Sequence, residues 1–324
     1  NLGLPGQVAL LGVSIVLLWK GADWLVESAA RVGRKLGLTD VIIGLTIVAF
    51  GTSAPEFAVT FSAALGDKAD ISVGNVVGSN IFNLGIILGL CSLLMPLHTN
   101  REVVYRDGFV LVGVTLTLLW MLHDRTLARW EGALLFSGLI VYLLTLVVFR
   151  KRWQALRDCV EDDPCADPLT EDVPEGEAAW WDWPKLVAGI AGVVVGGHLL
   201  VESASSLASA LGVSDWAIAV TIVAAGTSAP ELATSLTAAV KGMHGMSVGN
   251  LVGSDLFNLL GVLGAAGLIR NLPVSDNAIP SVAMLTGMCV LVVIFMRTGW
   301  RLKRWEGVLL IGIGLSRWVL DLAV

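Results

Sequence analysis

The chain has 324 residues, 55% of them hydrophobic and only 15% charged. A soluble domain of this size carries about a quarter charged residues, and the apolar residues here gather in long runs, so a soluble globular class is excluded. The formal net charge of −6 owes much to one acidic stretch between Asp158 and Asp182, and no nucleic-acid partner is expected.

In chain order, apolar runs cut by breakers predict helices at 7–30, 40–65, 71–95, 103–122 and 130–149. Each approaches the roughly 20 residues that cross a hydrocarbon core about 30 Å thick. The period-two alternation of a membrane barrel is absent, so helices are the spanning structure. In the first span Lys20, Asp23 and Glu27 share one stripe, which predicts an ion pair near the membrane interface. Cys91, in the third, reads as a packing residue. Residues 150–183 are the one long hydrophilic stretch, with Pro164, Pro168 and Pro174 among its acids. They predict a flexible linker holding Cys159 and Cys165 as free thiols. Five more spans follow at 184–207, 215–240, 246–269, 279–297 and 305–322, with Cys289 packed in the fourth of them.

A shift of 175 residues aligns VESAARVGRKLGLTDVIIGLTIVAFGTSAPE (26–56) with VESASSLASALGVSDWAIAVTIVAAGTSAPE (201–231) without a gap. Of the 58 positions from 26 to 83, 30 are identical to their partners, so the chain is a duplicated unit. Five spans per copy is an odd number, and the second copy therefore enters the membrane from the opposite side. The expected fold is all-α and integral to the membrane: ten transmembrane helices in two inverted five-helix repeats, with broken helices meeting at the midplane. The first repeat covers 1–149, the linker 150–183 and the second repeat 184–324. Fifteen loop lysines and arginines lie on the linker's side, against Lys68, Arg125, Arg129 and Arg270 on the other. That asymmetry predicts a cytoplasmic linker, with both termini outside. Trp24, Trp130, Trp183, Trp216, Trp300 and Trp305 fall near span ends, where interfacial anchors belong.

The second and seventh predicted spans each contain Gly-Thr-Ser-Ala-Pro-Glu, at 51–56 and 226–231. Pro55 and Pro230 free the carbonyls of Gly51 and Gly226, and the glycines let the chain bend. The result is a broken helix offering a carboxylate, hydroxyls and bare carbonyls to one cavity. A charge at mid-membrane costs about 2.5–3.5 kcal/mol on insertion scales, so Glu56 and Glu231, occurring twice in inverted copies, read as functional. Hard oxygen donors suit calcium or sodium; four histidines and no Cys/His spacing give zinc nothing. The second patch, Gly74-Asn75-Val-Val-Gly78-Ser79-Asn80-Ile-Phe-Asn83, recurs as Gly249-Asn250-Leu-Val-Gly253-Ser254-Asp255-Leu-Phe-Asn258. Ser79 shares a helix face with Asn83, and Ser254 with Asn258.

These paired segments resemble the two alpha-repeats of the cation/calcium exchanger superfamily, most closely the prokaryotic sodium/calcium exchangers without a large regulatory domain; GADWLVES (21–28) also resembles that family's first span. The resemblance implies an antiporter, not an enzyme, that moves calcium against sodium by alternating access in the prokaryotic inner membrane, with those ions and the lipid bilayer as partners and no cofactor. It implies Glu56 and Glu231 as calcium ligands shared with sodium, and Thr52, Thr227, Ala49 and Ala224 through main-chain oxygens. Ser53, Ser228, Ser79, Ser254, Asn83 and Asn258 complete the implied set. Asn258 stands where several relatives, potassium-dependent members included, carry Asp, which argues for potassium independence. Asp255 replaces the Asn expected from Asn80, and either adds a third carboxylate or points elsewhere and stays protonated. A proton/calcium antiporter on the same scaffold is the rival reading.

Overall fold

The computed structural model describes residues 3–149, 179–213, 222, 224–276 and 278–323, with only the backbone given for Ala224 and from 317 onward. Nearly all of the expected linker, with Cys159 and Cys165, lies outside the described residues, as do Trp216 and the first part of the expected span 215–240.

Helix α1 (Leu4–Lys35) opens with Pro5 in its first turn and ends on Arg34 and Lys35, cations placed where the helix dipole favours them. Helix α2 (Asp40–Thr52) is capped by the Thr39 hydroxyl, which accepts from the Ile42 amide. It meets α3 (Ala54–Leu65) at a bend of 51°. Ser53 is the break (φ −79°, ψ 9°), and Pro55 opens the next helix. Then come α4 (Ala69–Leu94), α5 (Val103–Asp124), α6 (Arg129–Val148) and α7 (Asp182–Ala210). Short α8 (Ala224–Thr227) precedes a second break at Ser228 (φ −89°, ψ 10°), followed by α9 (Ala229–Val240). Helices α10 (His244–Ile269), α11 (Ala278–Arg297) and α12 (Arg304–Ala323) complete the described chain. Among the described residues seven helices are long and apolar enough to cross a membrane, and the bent pair α2–α3 makes an eighth.

The 175-residue offset carries into three dimensions. Ala54–Leu65 corresponds to Ala229–Val240, Ala69–Leu94 to His244–Ile269, and Arg129–Val148 to Arg304–Ala323. Contacts are exchanged between the copies. Strand β1 (Leu97–His98) pairs antiparallel with β4 (Arg301–Leu302), while β2 (Thr126–Leu127) pairs with β3 (Leu272–Pro273). Helix α6 packs on the end of α10, where a Cβ on Gly264 would come 2.7 Å from the Phe136 nitrogen. Helix α12 packs on the end of α4, where one on Gly89 would come 2.9 Å from the Gly307 oxygen. Only glycine permits such approach, the usual device where helices associate in lipid.

Helices α4 and α10 form the interior: 78% of each apolar window is buried, against 28–50% for the other spanning helices. Outer helices turn large apolar side chains outward, among them Val13, Ile15 and Val16 on α1, Leu116 on α5, and Val141 and Leu144 on α6. Trp24, Trp130, Trp183 and Trp305 are exposed, and Cys91 and Cys289 are buried free thiols.

The expected pairing of Lys20 with the acids on its own stripe of α1 is corrected. Lys20 lies over the ring of Trp19, while Asp23 and Glu27 pair with Lys241 at 2.5 and 2.7 Å and Glu27 also with Lys185 at 2.8 Å. Helical spacing identifies only neighbours on the same helix. Apart from Arg31 on α1 itself, 4.0 Å from Glu27, the partners come from the start of α7 and the turn after α9, and leave Lys20 to the surface.

Candidate ion-binding site

The two breaks bring Glu56 and Glu231 into the first turns of α3 and α9, where free amides and the helix dipole favour negative charge. Both glutamates are fully buried. Each is held by the serine at the opposite break: Ser53 Oγ donates to Glu231 Oε1 at 3.0 Å, and Ser228 Oγ donates to Glu56 Oε1 at 3.0 Å. The side chains of Thr52 and Ser254 also lie against Glu231, and Thr227 lies against Glu56. Thr52 Oγ1 is 3.4 Å from both Asn250 Oδ1 and Ser254 Oγ, and 3.3 Å from the Ala49 carbonyl, which also accepts the Ser53 amide.

A layer built from α4 and α10 adjoins this pair. Asn83 Nδ2 donates to Asp255 Oδ1 at 3.0 Å, and at the offset positions Asn258 Nδ2 donates to Asn80 Oδ1 at 3.2 Å and to Ser79 Oγ at 3.3 Å. Asp255 is thus buried within the polar layer rather than turned away, and its main-chain oxygen accepts from Asn80 Nδ2 at 3.1 Å. After Asn83, and again around Asn258, the helices run through π-helical turns at Asn83–Ile87 and Phe257–Val262. Such wide turns recur at functional sites because they re-aim side chains.

The donor set is one-sided. Five buried oxygens here have no hydrogen-bond donor among the described residues: Oε2 of Glu56, Oε2 of Glu231, Oδ2 of Asp255, Oδ1 of Asn83 and Oδ1 of Asn258. Each unsatisfied buried acceptor costs about 1–3 kcal/mol, and more if charged. A cluster of such oxygens next to two carboxylates fits a hard cation, which takes oxygen ligands and offsets both costs.

Of the expected ligands, the structure brings together Glu56, Glu231, Thr52, Thr227, Ser53, Ser228, Ser79, Ser254, Asn83, Asn258 and Asp255, all buried. Ala49 is buried beside them; Ala224 starts α8, with only its backbone described. Sequence reasoning left Asn75 and Asn250 out of the ligand set. Asn75 Nδ2 bonds Thr60 Oγ1 at 3.0 Å and reaches the Glu56 carbonyl at 3.4 Å; Asn250 Nδ2 bonds Ser235 Oγ at 2.8 Å and Thr234 Oγ1 at 3.1 Å. Each braces a glutamate-bearing helix against its neighbour. Their identity in both copies was the available signal. Residues 245–249, Gly-Met-Ser-Val-Gly, spell a hydrolase nucleophile motif, but they form the start of α10 rather than a strand-to-helix turn. Ser247 Oγ there donates to the Ser235 carbonyl at 2.9 Å.

The family profile described as "Sodium/calcium exchanger protein" matches residues 6–148 and 182–313. CaxA of Alkalimonas amylolytica is 37% identical, covering 92% of this chain and 93% of its own length. The sodium/calcium exchanger MaX1 of Methanosarcina acetivorans is 32% identical, with 94% of each chain covered. The solved structure of the sodium–calcium exchanger NCX_Mj, soaked without Na+ and Ca2+, superposes with a TM-score of 0.81 at 28% identity over 98% of both chains.

Proposed function

The chain belongs to the sodium/calcium exchanger protein family, an integral membrane and non-enzymatic class, and from that premise we propose that it exchanges calcium for sodium by alternating access at the Glu56–Glu231 site. The observation that carries this reading is the reciprocal serine–glutamate pairing, which leaves on each glutamate one buried carboxylate oxygen with no donor among the described residues. The two carboxylates face one bound calcium. The hydroxyls of Ser53, Ser79, Ser228 and Ser254, the amides of Asn83 and Asn258, and main-chain oxygens at Ala49, Thr52, Ala224 and Thr227 provide the flanking sodium cages. A proton would need only the carboxylates, so this wealth of neutral oxygens favours sodium. Asp255 borders the cage through Asn83.

The architecture we propose is ten spans in two inverted five-helix repeats, 1–149 and 184–324, joined by a cytoplasmic linker at 150–183, with both termini outside and the protein in a prokaryotic inner membrane. The exchanged β-ribbons and the matching helix boundaries support it. Charge then follows from the ligands. With two ionised glutamates, one calcium gives a neutral loaded site and three sodium ions, the number the family resemblance suggests, give +1. The half-cycles differ by one charge, worth about 2.3 kcal/mol per 100 mV, and exchange is electrogenic.

The test is calcium flux in sealed vesicles with sodium, potassium and proton gradients imposed separately. The expected result is uptake driven by a sodium gradient at clamped pH, without added potassium, and accelerated or slowed by a clamped membrane potential. Flux driven by a proton gradient alone would identify the proton/calcium antiporter instead, and a strict need for potassium would identify the potassium-dependent kind. Voltage-independent flux would mean electroneutral exchange.

A further inference from the structure

The two β-ribbons correspond through the 175-residue offset, yet they handle charge differently. At β2·β3, Arg125, in the left-handed region (φ 61°), pairs with Asp276 at 2.6 Å, and nearby Arg270 pairs with Asp67 at 2.7 Å. The counterpart of Arg125 is Trp300, also left-handed (φ 54°), and that of Asp276 is Arg101. Where the first ribbon pairs Arg125 with Asp276, the second sets the Arg101 guanidinium over the Trp300 indole, 5.5 Å from its centre. At three further positions an uncharged residue has a cationic counterpart: Leu122, Thr126 and Ala128 correspond to Arg297, Arg301 and Lys303.

The β1·β4 patch is an ordered arrangement. Arg297 lies 4.7 Å over Trp300 and 5.8 Å over Tyr105, and its Nε donates to the Tyr105 hydroxyl at 2.5 Å. The Thr99 amide donates to the Trp300 carbonyl at 2.8 Å and holds the strained turn in place. Among the described residues neither Arg297 nor Arg301 forms an ion pair with a carboxylate. Below them Tyr105 stacks on Phe109, ring centres 6.0 Å apart, and Phe109 is 55% exposed on the apolar outer face of α5. The surface therefore runs from exposed apolar helix through aromatic rings to arginines, the vertical order of a phospholipid from acyl chain to headgroup.

We propose that Arg297 and Arg301, with Tyr105, Trp300 and Arg101, bind the phosphate headgroup of an anionic phospholipid. Stacking on Trp300 and Tyr105 fixes the Arg297 plane while leaving guanidinium N–H groups to donate outward. A planar guanidinium matches two phosphate oxygens at once. A free phosphate would use the arginines but not the apolar strip continuous with them, and for that reason the lipid is the occupant.

Native mass spectrometry of the full purified chain, incubated with phosphatidylglycerol or phosphatidylcholine, tests this. The parent should retain phosphatidylglycerol preferentially, and Arg297→Gln/Arg301→Gln should retain it about tenfold more weakly, while Arg125→Gln at the other ribbon retains it as the parent does. Should the double variant fail to fold, Arg297→Lys keeps the charge but loses the stacked fork and should weaken retention several-fold. Equal retention by parent and variants overturns the proposal. So does displacement of the lipid by millimolar inorganic phosphate, which would mark a free-anion site. Retention that appears only after Glu161, Asp162 and Asp163 are changed to Gln and Asn would assign the patch to this chain's own acidic segment and equally overturn it.

Discussion

At the centre of the molecule, Ser53 serves Glu231 and Ser228 serves Glu56 at the same distance of 3.0 Å; at the ends, residues related by the same offset have parted. Lys241 pairs with Asp23 and Glu27, but the positions offset from Lys241 and Asp23 hold Gly66 and His198. Arg125 and Asp276 form an ion pair where Trp300 and Arg101 stack. The difference follows from what each region faces. In the arrangement proposed above, an ion at the midplane meets both copies at once, so a useful oxygen in one copy is useful in the other. The ends, in that same proposed arrangement, face different solutions and different headgroups, and nothing requires their charges to match. One departure reaches the centre: Asp255 stands opposite Asn80.

The largest effect that would break this comparison comes from the paired acids. Glu56→Gln and Glu231→Gln should each lower calcium flux at least about a hundredfold, since each removes one of two charges from the proposed divalent site at membrane depth. Near-parental flux in either variant, measured in vesicles with insertion checked by yield, would mean that the copies are not equivalent. Next come the serines. Ser53→Ala and Ser228→Ala each remove a hydrogen bond to a carboxylate, worth about 1.5–3 kcal/mol, so each should weaken calcium at least about tenfold. The two losses should match within a factor of a few, and a large disparity would count against the reciprocal geometry.

Asp255→Asn sharpens the comparison by making the copies alike. Asn keeps the oxygen that accepts from Asn83 and loses only charge, so calcium should weaken several-fold, less than for either glutamate. A loss equal to that of Glu231→Gln, in the same flux titration, would make Asp255 a principal ligand. The smallest effect lies at the end of the molecule. Lys241→Met breaks two partly exposed pairs and should cost about 1 kcal/mol of stability. Burial pulls the Lys241 pKa down, but its bonds to Asp23 and Glu27 outweigh that and leave it above the ordinary 10.5. A raised lysine pKa stabilises fully below the unfolded value and fades as pH climbs through the folded one. The melting difference between parent and variant should therefore be constant from neutral pH to about 10 and shrink above it.

Much of the centre was legible because its signals are local. Proline and glycine mark the breaks at Ser53 and Ser228, and a carboxylate inside an apolar run stands out whatever surrounds it. The bracing role of Asn75 and Asn250 was not, because a helical asparagine looks the same whether it faces an ion or a neighbouring threonine. The partners of Asp23 and Glu27 were misread for a related reason: spacing along α1 pointed to Lys20, and the lysines that won lie 158 and 214 residues from Glu27.

By itself the sequence determined that the chain lives in a membrane, that it is a duplicated unit, where its helices break and which two acids sit at the breaks. Composition, periodicity and internal alignment are properties of the string, and they survive without any contact being known. Only the tertiary structure decided that each glutamate is held by the serine of the other copy, 172 and 178 residues away, that Asp255 turns into the polar layer, and that five oxygens there have no donor among the described residues. Those outcomes depend on which helices pack face to face. Glycine seams and exchanged ribbons set that packing through close approach of main chains that no local pattern encodes.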